Sequence, residues 1–148
     1  LMIIIEIIMH KFCYASESTS EKQHLLEDLT AILSEARNFN YKHQISGVLY
    51  FAQGYFFQYL EGDLSTLNIL LEKLHSDSRH HNIKIFEIKA LEQPQFPDWS
   101  MKYISRNHQI NQFCQSLGVE SFKPHDFEQH HVDDLVRSLV NIESVELV

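Results

Sequence analysis

The stretch GVLYFAQGYFFQYL, residues 47–60, decides the fold of this chain. Two runs rich in aromatic and β-branched residues, 47–52 and 55–60, stand on either side of the pair Gln53-Gly54. Runs of this composition, separated by a two-residue turn that contains glycine, are typical of a β-hairpin. The stretch therefore predicts two antiparallel strands.

The residues on both sides of the hairpin alternate between strand-like and helix-like patterns. Before it, apolar residues recur at helical spacing and the helix ends at about Asn40. After it, Asp63 precedes a second run with helical spacing, and two further runs of this kind follow near the end. The predicted elements are a strand through 12–15, a helix over about 25–40, the hairpin, a helix over about 67–74, strands over about 83–91 and 99–103, and helices over about 110–117 and 132–140.

This order, βαββαββ followed by αα, predicts an α+β fold with a ferredoxin-like sheet. Two helices cover one face of such a sheet, and its other face stays exposed unless another element covers it. The two C-terminal helices have apolar stripes that must also be buried. We therefore expect these two helices to cover the second face.

Composition excludes several classes of protein. The 148 residues carry a formal net charge of −8 with only 12 Lys and Arg, which disfavours direct binding of nucleic acid. The two cysteines, Cys13 and Cys114, make no disulfide framework, so a reducing cytoplasm is expected. Residues 1–8 are apolar but hold Glu6 and lack a basic start. They predict an N-terminal extension before Met9 rather than a signal peptide or a membrane span.

Motifs for metal, nucleotide or nucleophile chemistry are missing from the sequence. Ten histidines include two adjacent pairs, but no His-x-x-x-His and no Cys-x-x-Cys motif occurs, so no metal site is expected. The four glycines form neither a Gly-x-Gly-x-x-Gly motif nor a Walker-type loop. The Gly-x-Ser-x-Gly elbow of hydrolases is also absent. The sequence therefore favours binding over catalysis.

Three polar side chains stand out among the apolar runs. Gln58 lies in the middle of a predicted strand, on one face with Phe56 and Leu60, and Tyr14 lies in the first strand. A buried amide or phenol needs hydrogen-bond partners, so a polar group must face them. Two ordinary explanations stay open: Asn40 caps the first helix, and Tyr14 and Gln58 form a hydrogen-bonded pair in the core.

Six motifs surround these residues. They are CYAS at 13–16, Ala36-Arg37-x-x-Asn40, ISGVLY at 45–50, FQYLEG at 57–62, DSRH at 77–80 and Phe96-x-x-Trp99-Ser100-Met101. In this order they resemble the motifs of a BLUF domain, the blue-light sensor that uses FAD. The resemblance covers about residues 10–105, some two thirds of the chain.

The resemblance implies a flavin site built from eight side chains. In that family a tyrosine matching Tyr14 hydrogen-bonds a glutamine matching Gln58, which faces flavin N5 and the C4 carbonyl. An asparagine matching Asn40 holds the pyrimidine edge, and apolar residues matching Ile32 and Leu74 sandwich the ring between two helices. The other three, near the flavin and its ribityl-phosphate side, are Asp77, Arg79 and His80.

The resemblance also implies how the site responds to light. Trp99 and Met101 match a pair in the last strand whose environment changes on illumination, so the photoactive set is Tyr14, Gln58, Trp99 and Met101. One position departs from the pattern. The family often has a polar residue that contacts the flavin edge just before the asparagine, and Phe39 stands there instead, so apolar packing replaces that contact or it is lost.

The expected function is blue-light sensing through non-covalently bound FAD, without catalysis. Residues 9–105 are expected to bind the flavin, and residues 106–148 to form a two-helix output segment that signals by protein–protein interaction. The expected partner is a downstream regulatory protein, such as a transcription regulator, and homo-oligomer formation is left open. Two alternatives remain: a ferredoxin-like module that binds another small molecule, and a flavin-dependent oxidoreductase, against which the crowding of flavin N5 by Gln58 and Tyr14 argues.

Overall fold

A six-stranded sheet and four α-helices make up residues 8–147, the part of the chain that the computed structural model describes. The predicted extension, residues 1–8, lies outside the described residues except for the exposed Ile8. The strands are β1 (Met9–Ser18), β2 (Ser46–Ala52), β3 (Tyr55–Gly62), β4 (His80–Ile85), β5 (Lys89–Leu91) and β6 (Lys102–Ser105). The helices are α1 (Leu25–His43), α2 (Leu64–Ser76), α3 (His108–Ser116) and α4 (Gln129–Val140).

The strands follow the order β4-β1-β3-β2-β6, and β5 pairs with the first residues of β1. Neighbouring strands are antiparallel except β2 and β6, which are parallel. The predicted hairpin joins β2 to β3, and Gln53 and Gly54 have the positive φ values, 55° and 84°, that a type I′ turn requires. This topology confirms the predicted α+β class with a ferredoxin-like order of elements.

Each face of the sheet packs against its own pair of helices. We call them the α1/α2 face and the α3/α4 face. On the α1/α2 face, Phe12, Leu49 and Phe56 belong to one buried cluster with Leu29 and Leu67. On the α3/α4 face, a second cluster joins residues of β1, β2 and β3 to the helices, and its members include Ala15, Val48, Phe57, Ile110, Val132, Leu135 and Leu139. The C-terminal helices thus cover the second face as predicted. Their apolar stripes pack against every second strand side chain, the ones that point to this face.

The last strand begins later than predicted, at Lys102 rather than at residue 99. The residues before it direct their carbonyl groups to other partners. The Trp99 carbonyl accepts from Gly47 N–H, and the Ser100 and Met101 carbonyls accept from side chains of α1. Trp99 and Met101 are therefore anchored next to the sheet but are not part of its last strand.

Two other predicted elements differ from the structure. The strand expected over about 83–91 is divided into β4 and β5, because the chain leaves the ladder after Ile85 and rejoins it at Lys89. The first helix continues past Asn40 to His43 and ends at Gln44, whose φ of 56° gives the left-handed conformation of a helix C-cap. Asn40 is therefore an interior residue of α1, and its side chain is available for tertiary contacts.

A buried carboxylate ties the loop before β6 to the sheet. Glu61, at the end of β3, is fully buried. One of its oxygens accepts from Tyr59 Oη and Gln95 N, both at 2.8 Å. The other accepts from Ser46 Oγ at 2.8 Å and Phe96 N at 3.1 Å. Four donors compensate the loss of hydration, so this carboxylate fixes the loop that leads to Trp99 and Met101.

Replacing Glu61 by alanine leaves these four donors without a partner. The free energy of unfolding is expected to fall by about 2–4 kcal/mol. Glu72→Ala is the matched control, since it removes the same charge from an exposed position of α2 and should change stability by less than about 0.5 kcal/mol. Urea denaturation of both variants measures the difference, and equal losses would contradict the anchoring role.

A buried histidine at the start of β4 makes stability depend on pH. His80 Nδ1 lies 2.8 Å from Ser16 Oγ of β1, and the side chain is almost fully buried. Burial lowers the pKa of His80 to about 4, although the carboxylate of Asp77 acts in the opposite direction. The folded protein therefore keeps this imidazole neutral at a pH where the unfolded chain already protonates it.

Stability is expected to decrease as the pH falls from about 6.5 to about 4, because over this range the unfolded chain binds a proton that the folded protein does not. The contribution of His80 to this decrease is roughly 3 kcal/mol. His80→Gln removes the titrating group, so its free energy of unfolding should fall less steeply over the same range. Denaturation curves at several pH values give both slopes, and identical slopes would exclude His80 as the cause.

Candidate functional site

A cavity of about 360 Å³ lies between α1, α2 and the sheet. Its floor comes from β1 and β3, its two walls come from the helices, and its mouth is formed by the turn between α2 and β4. All eight side chains predicted to bind a cofactor line it: Tyr14, Ile32, Asn40, Gln58, Leu74, Asp77, Arg79 and His80. The fold therefore brings together residues from five separate elements of the chain.

The floor of the cavity holds the predicted tyrosine and glutamine side by side. Tyr14 and Gln58 are directly opposite each other in the β1–β3 ladder, and both are buried. The Gln58 Nε2 group donates to Met101 Sδ at 3.5 Å rather than to the phenol. Burial raises the pKa of Tyr14, so its hydroxyl group keeps its proton at neutral pH.

Asn40 has one side-chain atom with a hydrogen-bond partner and one without. Its Nδ2 group donates to the Ser100 carbonyl at 2.7 Å. Its Oδ1 atom is buried and has no hydrogen-bond partner among the described residues. A buried acceptor in this state costs about 1–3 kcal/mol. An N–H donor on a bound molecule would satisfy Oδ1, which makes Asn40 a candidate ligand-binding residue rather than a helix cap.

The two walls of the cavity are apolar. Ile32 of α1 and Leu74 of α2 are each 8% exposed, and both line the space above the floor. Phe39 also lines it, at the position where the BLUF pattern often has a polar residue. The Lys73 ammonium lies 3.9 Å from the centre of the Phe39 ring, a cation–π contact. Such walls suit a planar aromatic group between the helices.

The mouth of the cavity carries a small network of charges. Arg79 Nη2 forms ion pairs with Asp77 at 2.8 Å and with Glu35 at 2.7 Å. Burial acts to raise the pKa of Asp77, but hydrogen bonds from Arg79 outweigh it and hold that pKa below its usual range. Arg79 is thus a fixed, partly exposed cation at the entrance.

Sequence reasoning missed two charged residues of this site, Glu35 and Lys73. Both line the cavity with the predicted residues. Glu35 follows Ile32 by three positions and therefore lies on the same side of α1, so helical spacing contains a signal for it. Lys73 has no such signal, because its role depends on where α2 places it relative to Phe39 of the other helix.

The two residues predicted to change environment with light occupy different places. Met101 is fully buried next to Gln58, as the photoactive set requires. Trp99 is 39% exposed and lines a surface groove together with residues of the segment after α4. The structure therefore brings Tyr14, Gln58 and Met101 together and leaves Trp99 outside the cavity.

The part of the chain that the structure describes contains neither a metal-binding cluster nor a membrane-spanning helix. Among residues 8–147, no group of three or more His, Cys, Asp or Glu side chains is arranged to hold a metal ion. No helix in the described residues has the length and apolarity needed to cross a membrane.

Comparisons with known proteins agree with this geometry. The family model for BLUF, described as sensors of blue light using FAD, matches residues 9–102. The structure of BlsA in its photo-activated state is 38% identical with a TM-score of 0.89, and the match covers 93% of this chain and 99% of that one. BlrB, described as a BLUF protein in its dark state, is 25% identical with a TM-score of 0.76, covering 90% of this chain and 96% of that one.

A longer protein also contains a similar region. A bacterial light-regulated adenylyl cyclase is 27% identical with a TM-score of 0.66, and the match covers 88% of this chain but only 35% of that one. No curated protein sequence matches the chain. The family model spans more than half of the residues, and BlsA is similar over nearly the whole length. The chain therefore belongs to the BLUF family, the sensors of blue light using FAD.

Proposed function

We propose that this chain senses blue light with FAD held between α1 and α2, and that the signal is a rearrangement of the contacts among Tyr14, Gln58 and Met101. The observation that carries the proposal is the position of Gln58. Its amide lies on the cavity floor, opposite Tyr14 in the ladder and within 3.5 Å of the Met101 sulfur. A carboxamide has a donor and an acceptor end, so it can exchange partners without leaving its place.

The residues of the cavity fit the cofactor. The unpartnered Oδ1 of Asn40 would accept from the N–H group on the pyrimidine edge of the flavin. Ile32 and Leu74 would hold the ring between the helices by apolar contact. Arg79 at the mouth would receive the phosphate groups, with Asp77 orienting its guanidinium. These roles follow from the chemistry of side chains that already line one space.

When bound, FAD supplies blue-light absorption and an excited state that oxidises a nearby phenol. Tyr14 can lend an electron together with its Oη proton and then take both back, so no net redox change remains. Gln58 ends the cycle with its carboxamide rotated or tautomerised. Rotation replaces the Nε2 donor that faces Met101 Sδ by the amide oxygen, and tautomerisation leaves Nε2 with a single hydrogen. Either change alters this contact, and the altered hydrogen-bond network persists as the signal.

We propose further that the chain is a sensor without enzymatic activity of its own. Residues 9–105 would form the flavin-binding part and residues 106–148 the output part, acting on a downstream regulatory protein such as a transcription regulator in the cytoplasm. This division is supported by the packing of α3 and α4 on the face opposite the cavity. A change at the cavity would reach these helices through the sheet that both layers share.

The light response is the direct test of this function. Purified protein is expected to be yellow, to release intact FAD on denaturation, and to show a small reversible red shift in a light-minus-dark absorption spectrum. Tyr14→Phe and Gln58→Leu should each abolish the shift and retain FAD, because the apolar walls are unchanged. Tyr41→Phe, at a tyrosine that is 82% exposed, is the control and should respond normally. A normal red shift in Tyr14→Phe would exclude Tyr14 as the electron donor.

Flavin retention tests the role of Asn40 separately. Asn40→Ala removes the acceptor for the flavin edge and is expected to weaken binding by about 1–3 kcal/mol, a rise in Kd of about 5- to 150-fold. Asn68→Ala, at an exposed position of α2, should leave Kd unchanged. Titration of flavin-free protein with FAD, followed by flavin fluorescence, measures both values. An unchanged Kd in Asn40→Ala would place the pyrimidine edge elsewhere.

A further inference from the structure

The segment after α4, residues 141–147, crosses the outer edge of β6. Val145 N donates to the Tyr103 carbonyl at 2.7 Å, and Tyr103 N donates to Ser144 Oγ at 3.2 Å. β6 stands at one end of the sheet and pairs with β2 on its inner side. The segment therefore occupies backbone groups that an edge strand would otherwise present to another chain. We call residues 141–147 the strap.

Both ends of the strap are attached next to the same strand. At its start, Lys102 Nζ donates to the Leu139 and Val140 carbonyls at the end of α4, at 3.0 Å each. At its far end, Leu147 packs against the buried cluster of the α1/α2 face, to which Tyr103 belongs. The strap thus passes from the α3/α4 face, over the edge of β6, to the face that carries the cavity.

The two residues of β6 that attach the strap come directly after a residue that contacts Gln58. Met101, which contacts Gln58, is followed directly by Lys102 and Tyr103. Met101 and Tyr103 belong to the buried cluster of the α1/α2 face, whereas the side chain of Lys102 reaches the end of α4 on the other face. Three successive residues therefore hold the Gln58 amide, the end of α4 and the strap. A displacement of Met101 acts on both anchors of the strap at once.

We propose that the strap is released by light, and that the freed edge of β6 binds an extended segment of a partner protein by β-strand addition. The proposal rests on the proposed function, because the change in the Gln58–Met101 contact drives the release. The partner segment takes over what the strap does now. It supplies an N–H to the Tyr103 carbonyl and, two positions later, an apolar side chain where Leu147 packs.

Ile142, at the start of the strap, is buried in the cluster of the α3/α4 face, but residues 143–147 beyond it are half-buried or exposed and are held weakly enough for such a switch. The main-chain pairing of the strap to β6 is confined to Tyr103, and the side chain of Val145 is 41% exposed. Segments with few buried contacts and exposed hydrogen bonds open at low free-energy cost. A small change in the position of β6 is therefore sufficient to shift the strap from bound to released.

A synthetic peptide with the sequence of residues 141–148, NIESVELV, serves as the probe for the freed edge. Fluorescence anisotropy with the FAD-loaded protein is expected to give a Kd about tenfold lower under blue light than in the dark, the scale of one main-chain hydrogen bond in competition. In the protein variant Val145→Pro the strap lacks its donor, so the peptide should bind as tightly in the dark as the wild type does in light. Val145→Ala keeps the N–H and should behave as wild type.

The peptide carrying proline in place of its valine at 145 cannot donate to Tyr103 and should not bind in any state. A second protein variant, Leu147→Asp, loosens the other anchor and should also raise dark binding. A normal red shift would overturn the proposal if the wild type bound the peptide equally in light and dark and neither Val145→Pro nor Leu147→Asp bound it more tightly in the dark than the wild type does. If the red shift itself is absent, the light-driven part fails with the proposed function. The dark comparison of Val145→Pro with Val145→Ala still decides whether the edge accepts a strand.

Discussion

Burial of the sheet on both faces is the constraint on which the rest of this structure depends. Every residue of β3 from Phe56 to Gly62 is buried, so each of its side chains belongs to one of two packed layers. The layer toward α3 and α4 is closed by aliphatic and aromatic side chains. The layer toward α1 and α2 leaves a cavity with Gln58 in its floor. A buried amide normally has strong partners, and the thioether sulfur of Met101 is a weak acceptor. In the proposed function, FAD supplies the stronger partner that the Gln58 amide lacks.

The two layers are coupled because strands alternate. Lys102 is buried on the α3/α4 side, where its ammonium donates to the last carbonyls of α4, while its neighbours Met101 and Tyr103 pack on the other side. A buried cation is costly unless it is well paired, and the negative end of a helix dipole compensates part of that cost. The Lys102 ammonium can therefore move only slightly relative to the end of α4. A shift of β6 that is caused at the cavity cannot leave the end of α4 unaffected, since one short strand carries both contacts.

The features of this site that depend on local periodicity could be predicted from the sequence, and those that depend on how distant segments meet could not. Strand alternation placed Gln58 on an inner face, and helical spacing placed Ile32 on the buried side of α1. The course of the loop before β6 escaped prediction, because Trp99 and Ser100 are fixed by Gly47 and Asn40, which are remote in the chain. Residues 141–147 gave no signal as an element, because their pairing to β6 is confined to Tyr103.

The charges at the mouth show how this acidic chain can receive an anionic cofactor. Arg79 is shared between Asp77, which is partly buried, and Glu35, whose side chain is 64% exposed. An exposed ion pair contributes little to stability, so phosphate groups can replace Glu35 at modest cost, whereas Asp77 keeps the guanidinium oriented. Lys73 adds a second cation, held over the Phe39 ring on the wall of the same cavity. The proposed site therefore has an apolar part for the flavin ring and charged side chains for the phosphate groups. The interior accepts an apolar ring with one polar edge, and the positive charge for the phosphates comes from Arg79 at the entrance and Lys73 on the wall.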